Sequence, residues 1–389
     1  QARRSQDHDR KRSGGADVAV AAAADAGAGV DTHTSAEDAS APGSSSDGST
    51  DGSGSVASDA AAVSEPIIEP AELSKPVELS LSMTKSVSKK RCDKEARRFS
   101  LDPAIDPLSG LDITRSAVGD GSLDAFVLDG VLTDAECEEL VANAEEAGFS
   151  FWDSGPLARR DFRNADTIEL THPSLAAGLW ARIEPFLEPG ERRLQICEDL
   201  TPRRWERDIE GEWEADDTND DVLLSRYQSG GHFAPHTDGY SVRHMNRRSM
   251  YSIIFYLNDC HPAECGGTRF YADEAKGKVV LDDMGRYTAD PALALTCVAA
   301  KKGRALVFYH NHIHEGTPPA PGAQKYIIRS DLMYHRLEPI CTLPQDVEAY
   351  GLYQRAVDIA GESGREAEAM PMFARAFKMS RNLADVYGM

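Results

Sequence analysis

Metal-binding side chains are concentrated in the segment "SGGHFAPHTDGYSV", residues 229–242. It contains His232, His236 and Asp238, with strand-like residues on either side. Because residues i and i+2 of a strand lie on the same face, His236 and Asp238 would offer adjacent ligands to one ion. A lone His-x-Asp in a chain with 64 Asp and Glu residues is more typical of a turn, so other residues must decide.

A third ligand and a cation follow on later predicted strands. His314 ends the run "ALVFYHNHIH", and Lys325 follows in "GAQKYIIRSDLMY". Two histidines and one carboxylate form the facial triad of non-haem iron(II) oxygenases, which leaves positions open for a co-substrate and O2. A buried cation nearby can hold the distal carboxylate of a dicarboxylate co-substrate.

Other histidines compete for these roles. His232 shares a predicted strand face with His236, and His310 and His312 share one with His314. Alternation alone therefore does not choose among the last three. We expect His310 or His312 to lie beside the metal ligands or to face the substrate.

Short strands separated by turn signals dominate the chain from residue 222 onward. The candidates are "DVLLSRYQ", "YSIIFYLN", "GTRFYA", "TCVAAKKGRALVFYH" and "QKYIIRSDLMYHR". Helices precede them, one from a capping box at Thr133 and Glu136 to Gly148, and another over residues 172–187. We predict a mainly β protein with flanking helices (α+β), whose strands form a double-stranded β-helix, or jelly-roll, barrel. Residues 272–296 are predicted to form a long loop over one rim.

Composition divides the chain into three parts. Residues 1–122 form a low-complexity arm and linker that cannot bury enough apolar surface to fold, so we predict that they are disordered. Residues 123–337 form the main predicted domain, with its metal-binding core at 222–337. Residues 345–389 return to helical periodicity and resemble a single tetratricopeptide-like hairpin, serving either as a cap on the barrel or as a peptide-docking surface.

Charge and cysteine content narrow the function classes. The formal net charge of -22 disfavours general nucleic-acid binding. The cluster "KKRCDKEARR", Lys89–Arg98, is interpreted as a solvated linker segment, with a nuclear-targeting patch as the alternative. The seven scattered cysteines are expected to be mostly reduced, with Cys260–Cys265 as a conceivable pair. No apolar run predicts a membrane span. The first residue is Gln, which we interpret as an incomplete N-terminus, and we expect a cytoplasmic or nuclear location.

Four ordered blocks between residues 123 and 337 resemble the prolyl 4-hydroxylase-like branch of the iron(II)/2-oxoglutarate-dependent dioxygenases. The opening "DAFVLDGVLTDAECEELV" is similar to the first strand and helix of that branch, and "RYQSGGHFAPHTDG" is similar to its first metal motif. The segment "IFYLNDCHPAECGGTRFY" resembles its central motif, and "GRALVFYHNHIHEGTPPAPGAQKYIIRSDLMY" resembles its last. Agreement of four blocks in order makes the resemblance specific.

The resemblance implies a ligand set. His236, Asp238 and His314 match the residues that bind iron(II), and the "HEG" at His314 selects it over His310 and His312. No catalytic residue beyond these metal ligands is expected.

The resemblance also implies a site for 2-oxoglutarate. Lys325 matches the basic residue that pairs with the C5 carboxylate, and Tyr227 matches a tyrosine that hydrogen-bonds the same group. Arg329 lies on the same predicted strand face as Lys325. It is the alternative carboxylate partner, because the spacing from His314 to Lys325 is slightly long for the family.

The implied reaction consumes O2 and 2-oxoglutarate, hydroxylates a substrate, and releases succinate and CO2, with L-ascorbate keeping the iron reduced. The branch favours prolyl residues, so we expect peptidyl-proline 4-hydroxylation in a peptide or protein. The same ligands would serve an enzyme that acts on a small molecule or another amino acid. A non-enzymatic scaffold with a degenerate barrel is the alternative from another class, although the presence of all three ligands and the basic residue argues against it.

Overall fold

The computed structural model describes residues 99–106, 108–151, 160–199, 201, 206–260, 266–361 and 364–389. Residues 1–98, which make up most of the predicted disordered arm and include the basic cluster Lys89–Arg98, lie outside these ranges.

Seventeen strands lie in the described residues, and their pairings are antiparallel. In chain order they are β1 (Thr114–Ala117), β2 (Ala125–Asp129), β3 (Ser150–Phe151), β4 (Asp166–Thr171), β5 (Arg193–Ile196), β6 (Gly211–Thr218), β7 (Asp221–Tyr227), β8 (Phe233–His236), β9 (Val242–His244), β10 (Arg247–Tyr256), β11 (Thr268–Tyr271), β12 (Val280–Leu281), β13 (Tyr287–Thr288), β14 (Ala294–Val298), β15 (Ala305–Tyr309), β16 (His314–Gly316) and β17 (Lys325–Arg336).

The same residues contain α-helices on both sides of the strand-rich region. They are α1 (Asp134–Ala147), α2 (Pro173–Ile183), α3 (Pro189–Arg192), α4 (Pro344–Ala360), α5 (Glu366–Met379) and α6 (Arg381–Val386). Short 3-10 turns occupy Glu184–Phe186, Asp273–Ala275 and Pro291–Leu293. None of the helices in the described part of the chain combines the length and apolarity that a membrane span requires.

Most strands belong to two antiparallel sheets. Among the described strands, the large sheet runs β1-β2-β15-β10-β17-β7-β4-β3, with β5 and β6 continuing from β17 and β9 pairing with β10. The small sheet runs β14-β11-β16-β8. The central neighbours of the large sheet, from β2 to β7, and all neighbours of the small sheet are non-consecutive in the chain, as the jelly-roll topology requires.

Apolar side chains from both sheets share one core. Ile254 and Phe308 from the large sheet lie in the same buried cluster as Ala234 and Phe270 from the small sheet. The Phe270 and Phe308 rings meet edge to face, with centroids 5.3 Å apart. The two sheets therefore face each other, and the fold class predicted from the sequence is confirmed.

Helices α1 and α2 pack on the large sheet, where Leu140 and Leu179 join its buried cluster. The predicted capping box at the start of α1 is confirmed. The Thr133 hydroxyl accepts a hydrogen bond from the Glu136 amide at 3.2 Å, and the Glu136 carboxylate accepts one from the Thr133 amide at 2.9 Å. The helix ends at Gly148, whose positive φ of 84° suits glycine.

The C-terminal helices α4, α5 and α6 have a core of their own. Tyr353, Phe373 and Tyr387 lie buried within it, and Tyr353 stacks on Tyr387 with ring centroids 4.4 Å apart. Met245, in the turn between β9 and β10, belongs to the same cluster. These helices therefore pack against the segment that leads from Asp238 into β10.

Two stretches differ from the sequence-based expectation. Phe99 is buried and β1 pairs with β2, so residues 99–106 and 108–122 join the folded domain although their composition suggested a linker. Their few apolar side chains give too sparse a pattern to reveal this. The predicted loop 272–296 contains the hairpin β12–β13, and the Tyr287 amide of this hairpin donates to the Asp161 carbonyl at 3.1 Å.

The thiols of the described residues are mostly free, as predicted. Cys297 is the exception in the described residues, because it is disulfide-bonded. The conceivable pairing of Cys260 with Cys265 is wrong, since Cys260 has a free thiol. The free thiols belong to Cys137, Cys197, Cys260 and Cys341.

Candidate metal and co-substrate site

Two neighbouring strands of the small sheet carry the predicted histidine ligands. His236 is the last residue of β8, His314 is the first residue of β16, and the two are paired across the ladder. Asp238 lies two residues beyond His236, so its side chain returns to the same side. One ligand atom from each of these residues lies within 4.8 Å of those from the other two.

Backbone carbonyls fix the orientation of both imidazole rings. Nδ1 of His236 lies 2.7 Å from the Ala234 carbonyl, and Nδ1 of His314 lies 3.0 Å from the His312 carbonyl. Because a carbonyl only accepts, each Nδ1 carries the proton and each Nε2 is left as a lone-pair donor. The Nε2 atoms of His236 and His314 lie 3.6 and 3.7 Å from the Asp238 carboxylate.

The protonation states of this cluster suit metal binding. Burial opposes ionisation of Asp238, but the Arg329 guanidinium and the neighbouring His314 and His236 together outweigh it and hold the pKa of Asp238 well below its usual range. Burial lowers the pKa of His314 to about 3, so its imidazole is neutral. Oδ2 of Asp238 is buried and has no hydrogen-bond partner. An ionised carboxylate and a neutral imidazole are the forms that bind a divalent metal.

Lys325 places a buried ammonium in the same interior. Its Nζ donates to the Thr317 carbonyl at 2.5 Å and to the Gly267 carbonyl at 3.3 Å, and lies 4.3 Å from the centroid of the Tyr227 ring. Lys325 is only 2% exposed, and no carboxylate of the described residues forms an ion pair with it. Burial lowers the pKa of Lys325 to about 8. The group therefore lacks the anion that normally accompanies a buried cation.

Arg329 has carboxylate partners already. Nη2 of Arg329 lies 3.0 Å from Asp331 and donates to the Gly239 carbonyl at 3.2 Å. Nε of Arg329 lies 3.6 Å from Oδ2 of Asp238. Burial alone would lower the pKa of Arg329, but the Asp238 and Asp331 carboxylates more than offset this, so the pKa is raised. Its charge is thus used within the protein.

A cavity between the two sheets joins the histidine cluster to Lys325. Its walls include Phe233 and Ile254, and the predicted site residues line it together: Tyr227, His236, Asp238, His314, Lys325 and Arg329. The structure therefore brings residues from four strands and one loop to a common space.

The competing histidines lie beside this cavity and do not line it. Nε2 of His232 lies 2.8 Å from the Asp161 carbonyl, so that ring is directed toward another segment. The His310 carbonyl accepts a hydrogen bond from the Asp238 amide at 2.9 Å. The His312 carbonyl orients His314, as described above. His310 and His312 therefore act through their backbones next to the proposed ligands.

Residues 222–330 match the family model of the 2OG-Fe(II) oxygenase superfamily. This range runs from β7 into β17 and includes the histidine cluster and Lys325. The chain carries a 2OG-Fe(II) oxygenase domain. The matched region is a 2-oxoglutarate-dependent dioxygenase domain, which implies O2 as a substrate. No curated protein matches the sequence significantly.

Several solved structures are similar to this oxygenase at low identity. The viral collagen prolyl hydroxylase of Paramecium Bursaria Chlorella virus-1, in its 2OG complex, is 17% identical, with 55% of this chain and 97% of that chain covered and a TM-score of 0.33. A Pseudomonas putida prolyl-4-hydroxylase is 16% identical, with 55% and 94% covered and a TM-score of 0.31. HygX from Streptomyces hygroscopicus, with nickel and 2-oxoglutarate bound, is 13% identical, with 56% and 84% covered and a TM-score of 0.32.

The side chains of the oxygenase cavity fit iron(II) and 2-oxoglutarate, the metal and co-substrate of the superfamily. Two imidazoles and one carboxylate are the donor set of non-haem iron(II). The buried Oδ2 of Asp238 lacks a hydrogen bond and offers its lone pair to a cation. The buried ammonium of Lys325 lacks an anion and suits one end of a dicarboxylate.

The sequence did not reveal one charged residue that lines the oxygenase cavity, Arg163. Its side chain is buried, lines the cavity, and lies with its guanidinium carbon 4.9 Å from the centroid of the Phe233 ring. An isolated bridge pairs its backbone with Phe233. The segment "RRDFRNAD" has no strand period and contains three arginines, so nothing in the sequence distinguishes this one.

Proposed function

We propose that His236, Asp238 and His314 bind iron(II) through two Nε2 atoms and one carboxylate oxygen. One observation carries the proposal. The three ligand atoms lie within 4.8 Å of one another, in a cavity that also contains a buried ammonium without a carboxylate partner among the described residues. A facial triad beside an anion site is the arrangement that an iron(II) and 2-oxoglutarate enzyme needs.

We further propose that Lys325, and not Arg329, binds the C5 carboxylate of 2-oxoglutarate. Lys325 has only carbonyl and aromatic partners, whereas Arg329 lies against Asp331 and Asp238. Burial raises the pKa of Tyr227, which keeps its hydroxyl protonated and able to donate to a carboxylate. Lys325 and Tyr227 therefore form one anion site.

The chain's own residues orient and shield the reacting groups. Bound iron(II) and 2-oxoglutarate supply the oxidising chemistry, in which O2 is consumed and succinate and CO2 are released as the substrate is hydroxylated. Phe233 stacks on His236 with centroids 3.6 Å apart, and Phe308 meets His314 edge to face at 4.6 Å. These apolar rings exclude water from the sides of the two imidazoles.

The substrate is proposed to be a prolyl residue of a peptide or protein. The motif resemblance favours it, and an exposed aromatic residue near the metal cluster supports it. Tyr240 lies two residues beyond Asp238, is 41% exposed, and has its ring centroid 5.6 Å from that of His310. Aromatic surfaces bind the preformed conformation of proline-rich segments. A small molecule or another amino acid is the alternative substrate, and L-ascorbate is proposed as the reductant.

The test is turnover of 2-oxoglutarate by the full chain with iron(II), ascorbate and a panel of proline-rich peptides. We expect succinate and a peptide that gains the mass of one oxygen atom. His236→Ala should abolish both products, whereas His244→Ala, an exposed histidine on β9, should leave them unchanged. Succinate without peptide oxidation would reject the peptide substrate and keep the dioxygenase. Unchanged succinate formation by His236→Ala would reject the proposed ligand set.

A further inference from the structure

A buried polar network lies next to the proposed iron ligand Asp238. Its centre is Asp331 on β17, which is 2% exposed. Oδ2 of Asp331 accepts hydrogen bonds from Nδ2 of Asn219 at 2.8 Å and from Oγ of Ser241 at 3.1 Å. Its Oδ1 lies 3.0 Å from Nη2 of Arg329. A buried carboxylate with three polar partners is well compensated for the loss of water.

Two of these partners hold the segment that contains Asp238. Arg329 donates to the Gly239 carbonyl at 3.2 Å and places Nε 3.6 Å from Oδ2 of Asp238. The Ser241 hydroxyl donates to Asp331. Ser241 also exchanges hydrogen bonds with Ser249, in which the Ser241 amide donates to the Ser249 hydroxyl at 2.7 Å and the Ser241 carbonyl accepts from the Ser249 amide. Asp331 is thus the common anchor of both ends of residues 238–241.

Asp238 needs such an anchor because it lies beyond the end of β8. His236 and His314 are fixed by the strand ladder, but Asp238 follows the last ladder residue. Its amide has one backbone partner, the His310 carbonyl at 2.9 Å. A carboxylate on a loop can turn away from a metal unless other groups hold the loop.

We infer that Asp331 is a positioning residue of the iron site, fixing the Asp238 carboxylate through Ser241 and Arg329. The inference rests on the proposed role of Asp238 as a ligand. Asp331 touches neither metal nor substrate and acts only through these two residues. A merely structural role would change stability and leave metal affinity and coordination as they are.

The experiment measures binding of cobalt(II) to the full chain, without 2-oxoglutarate, by calorimetry and visible absorption. Asp331→Asn keeps the shape and removes the charge, and we expect a loss of cobalt affinity of roughly 10- to 100-fold with an altered spectrum. Ser241→Ala should weaken binding in the same direction. The double variant should lose less than the two single losses combined, because both act through one contact. Asp129→Asn is the matched control, since Asp129 pairs with Arg304 and Lys301 and does not line the cavity.

The outcomes separate this inference from the proposed function. If the wild-type chain binds no cobalt, the proposed metal site itself fails. If it binds cobalt and Asp331→Asn binds with the same affinity and spectrum, only the positioning role is overturned. Should Asp331→Asn fail to fold, Ser241→Ala decides, because it leaves Asp331 with Asn219 and Arg329. Unchanged cobalt affinity in Ser241→Ala would then overturn the inference.

Discussion

Lys325 and Tyr227 are paired across β17 and β7, and the Lys325 ammonium lies 4.3 Å from the centroid of the Tyr227 ring. The ring face and the Thr317 and Gly267 carbonyls attract the cation without neutralising it. Burial without an anion costs free energy, which is visible as the lowered pKa of Lys325. A bound carboxylate would remove that cost, so the site is prepared for an anion before the anion arrives.

Lys325→Met should therefore separate co-substrate binding from stability. We expect the KM for 2-oxoglutarate to rise at least about 30-fold, since truncating one partner of a buried charge pair costs roughly 2–5 kcal/mol. The ligand-free variant should melt at a higher temperature than wild type, because an uncompensated buried charge is gone. Lys301→Met, at a lysine that is 55% exposed, is the control that should change neither value. A larger KM effect in Arg329→Met than in Lys325→Met would reverse the carboxylate assignment.

The lowered pKa of Lys325 also predicts a pH dependence. Below about pH 8 the side chain is charged in the free enzyme and binds a carboxylate; above it, the amine is neutral. The Kd of 2-oxoglutarate, measured with manganese(II), should rise about tenfold per pH unit above that point. Lys325→Arg stays charged and should show no such rise.

Titration of Lys325 also affects stability, which changes with pH in the opposite direction to the affinity for 2-oxoglutarate. Between about pH 8 and the ordinary lysine pKa of 10.5, the unfolded chain binds the proton and the folded chain does not. Stability of the ligand-free protein therefore rises with pH in this window. The difference in unfolding free energy between wild type and Lys325→Met isolates this contribution from other groups. A difference that does not vary with pH would contradict the lowered pKa.

Strand alternation predicts that His236 and Asp238 offer adjacent ligands, but it does not select the third ligand. Alternation along residues 305–314, taken as one strand, places His310, His312 and His314 on one face. In the structure β15 ends at Tyr309, and a turn separates it from His314. Strand periodicity does not hold across that turn. Only the motif resemblance distinguished the three histidines.

The residues around the predicted ligands could not be found from sequence, for a physical reason. Asn219 and Asp331 are hydrogen-bonded across a separation of 112 positions, and neither belongs to a local pattern. Arg163 reaches the cavity through an isolated bridge outside any regular strand. Such contacts depend on which strands become neighbours, whereas periodicity reports only which way a residue faces.

Tyr240→Ala tests the proposed peptide substrate. Arg248 lies over the Tyr240 ring at 3.9 Å, but 41% of the residue stays exposed and offers a stacking surface near the metal cluster. We expect the KM for a proline-rich peptide to rise roughly tenfold, the size of an aromatic stacking contact. The KM for 2-oxoglutarate should stay the same. Tyr240→Phe keeps the ring and should behave as wild type; an equal loss in both variants would show that the hydroxyl, and not the ring, makes the contact.

The ion pair between Glu136 and Arg182 joins α1 to α2 and should dominate the stability of the helical layer. Both side chains are buried, and Arg182 makes two hydrogen bonds to the Glu136 carboxylate, at 2.7 and 2.9 Å. Arg182→Leu leaves a buried carboxylate without its cation, so we expect a loss of about 3–5 kcal/mol in the free energy of unfolding by urea.

Arg381→Leu is the matched control for that loss. It removes an exposed pair with Asp385, at 2.9 Å, and should cost less than about 1 kcal/mol.

The pair between Glu136 and Arg182 also predicts that the protein loses stability at low pH. Burial raises the pKa of Glu136, but Arg182 and the Thr133 and Asp102 amides together outweigh it and lower the pKa below its ordinary value of 4.5. The stability is therefore present above that pH and is lost as pH falls through the lowered value. Glu136→Gln should weaken this loss of stability at low pH. An Arg182→Leu loss no larger than the Arg381→Leu loss would show that the helices are held by their apolar contacts alone.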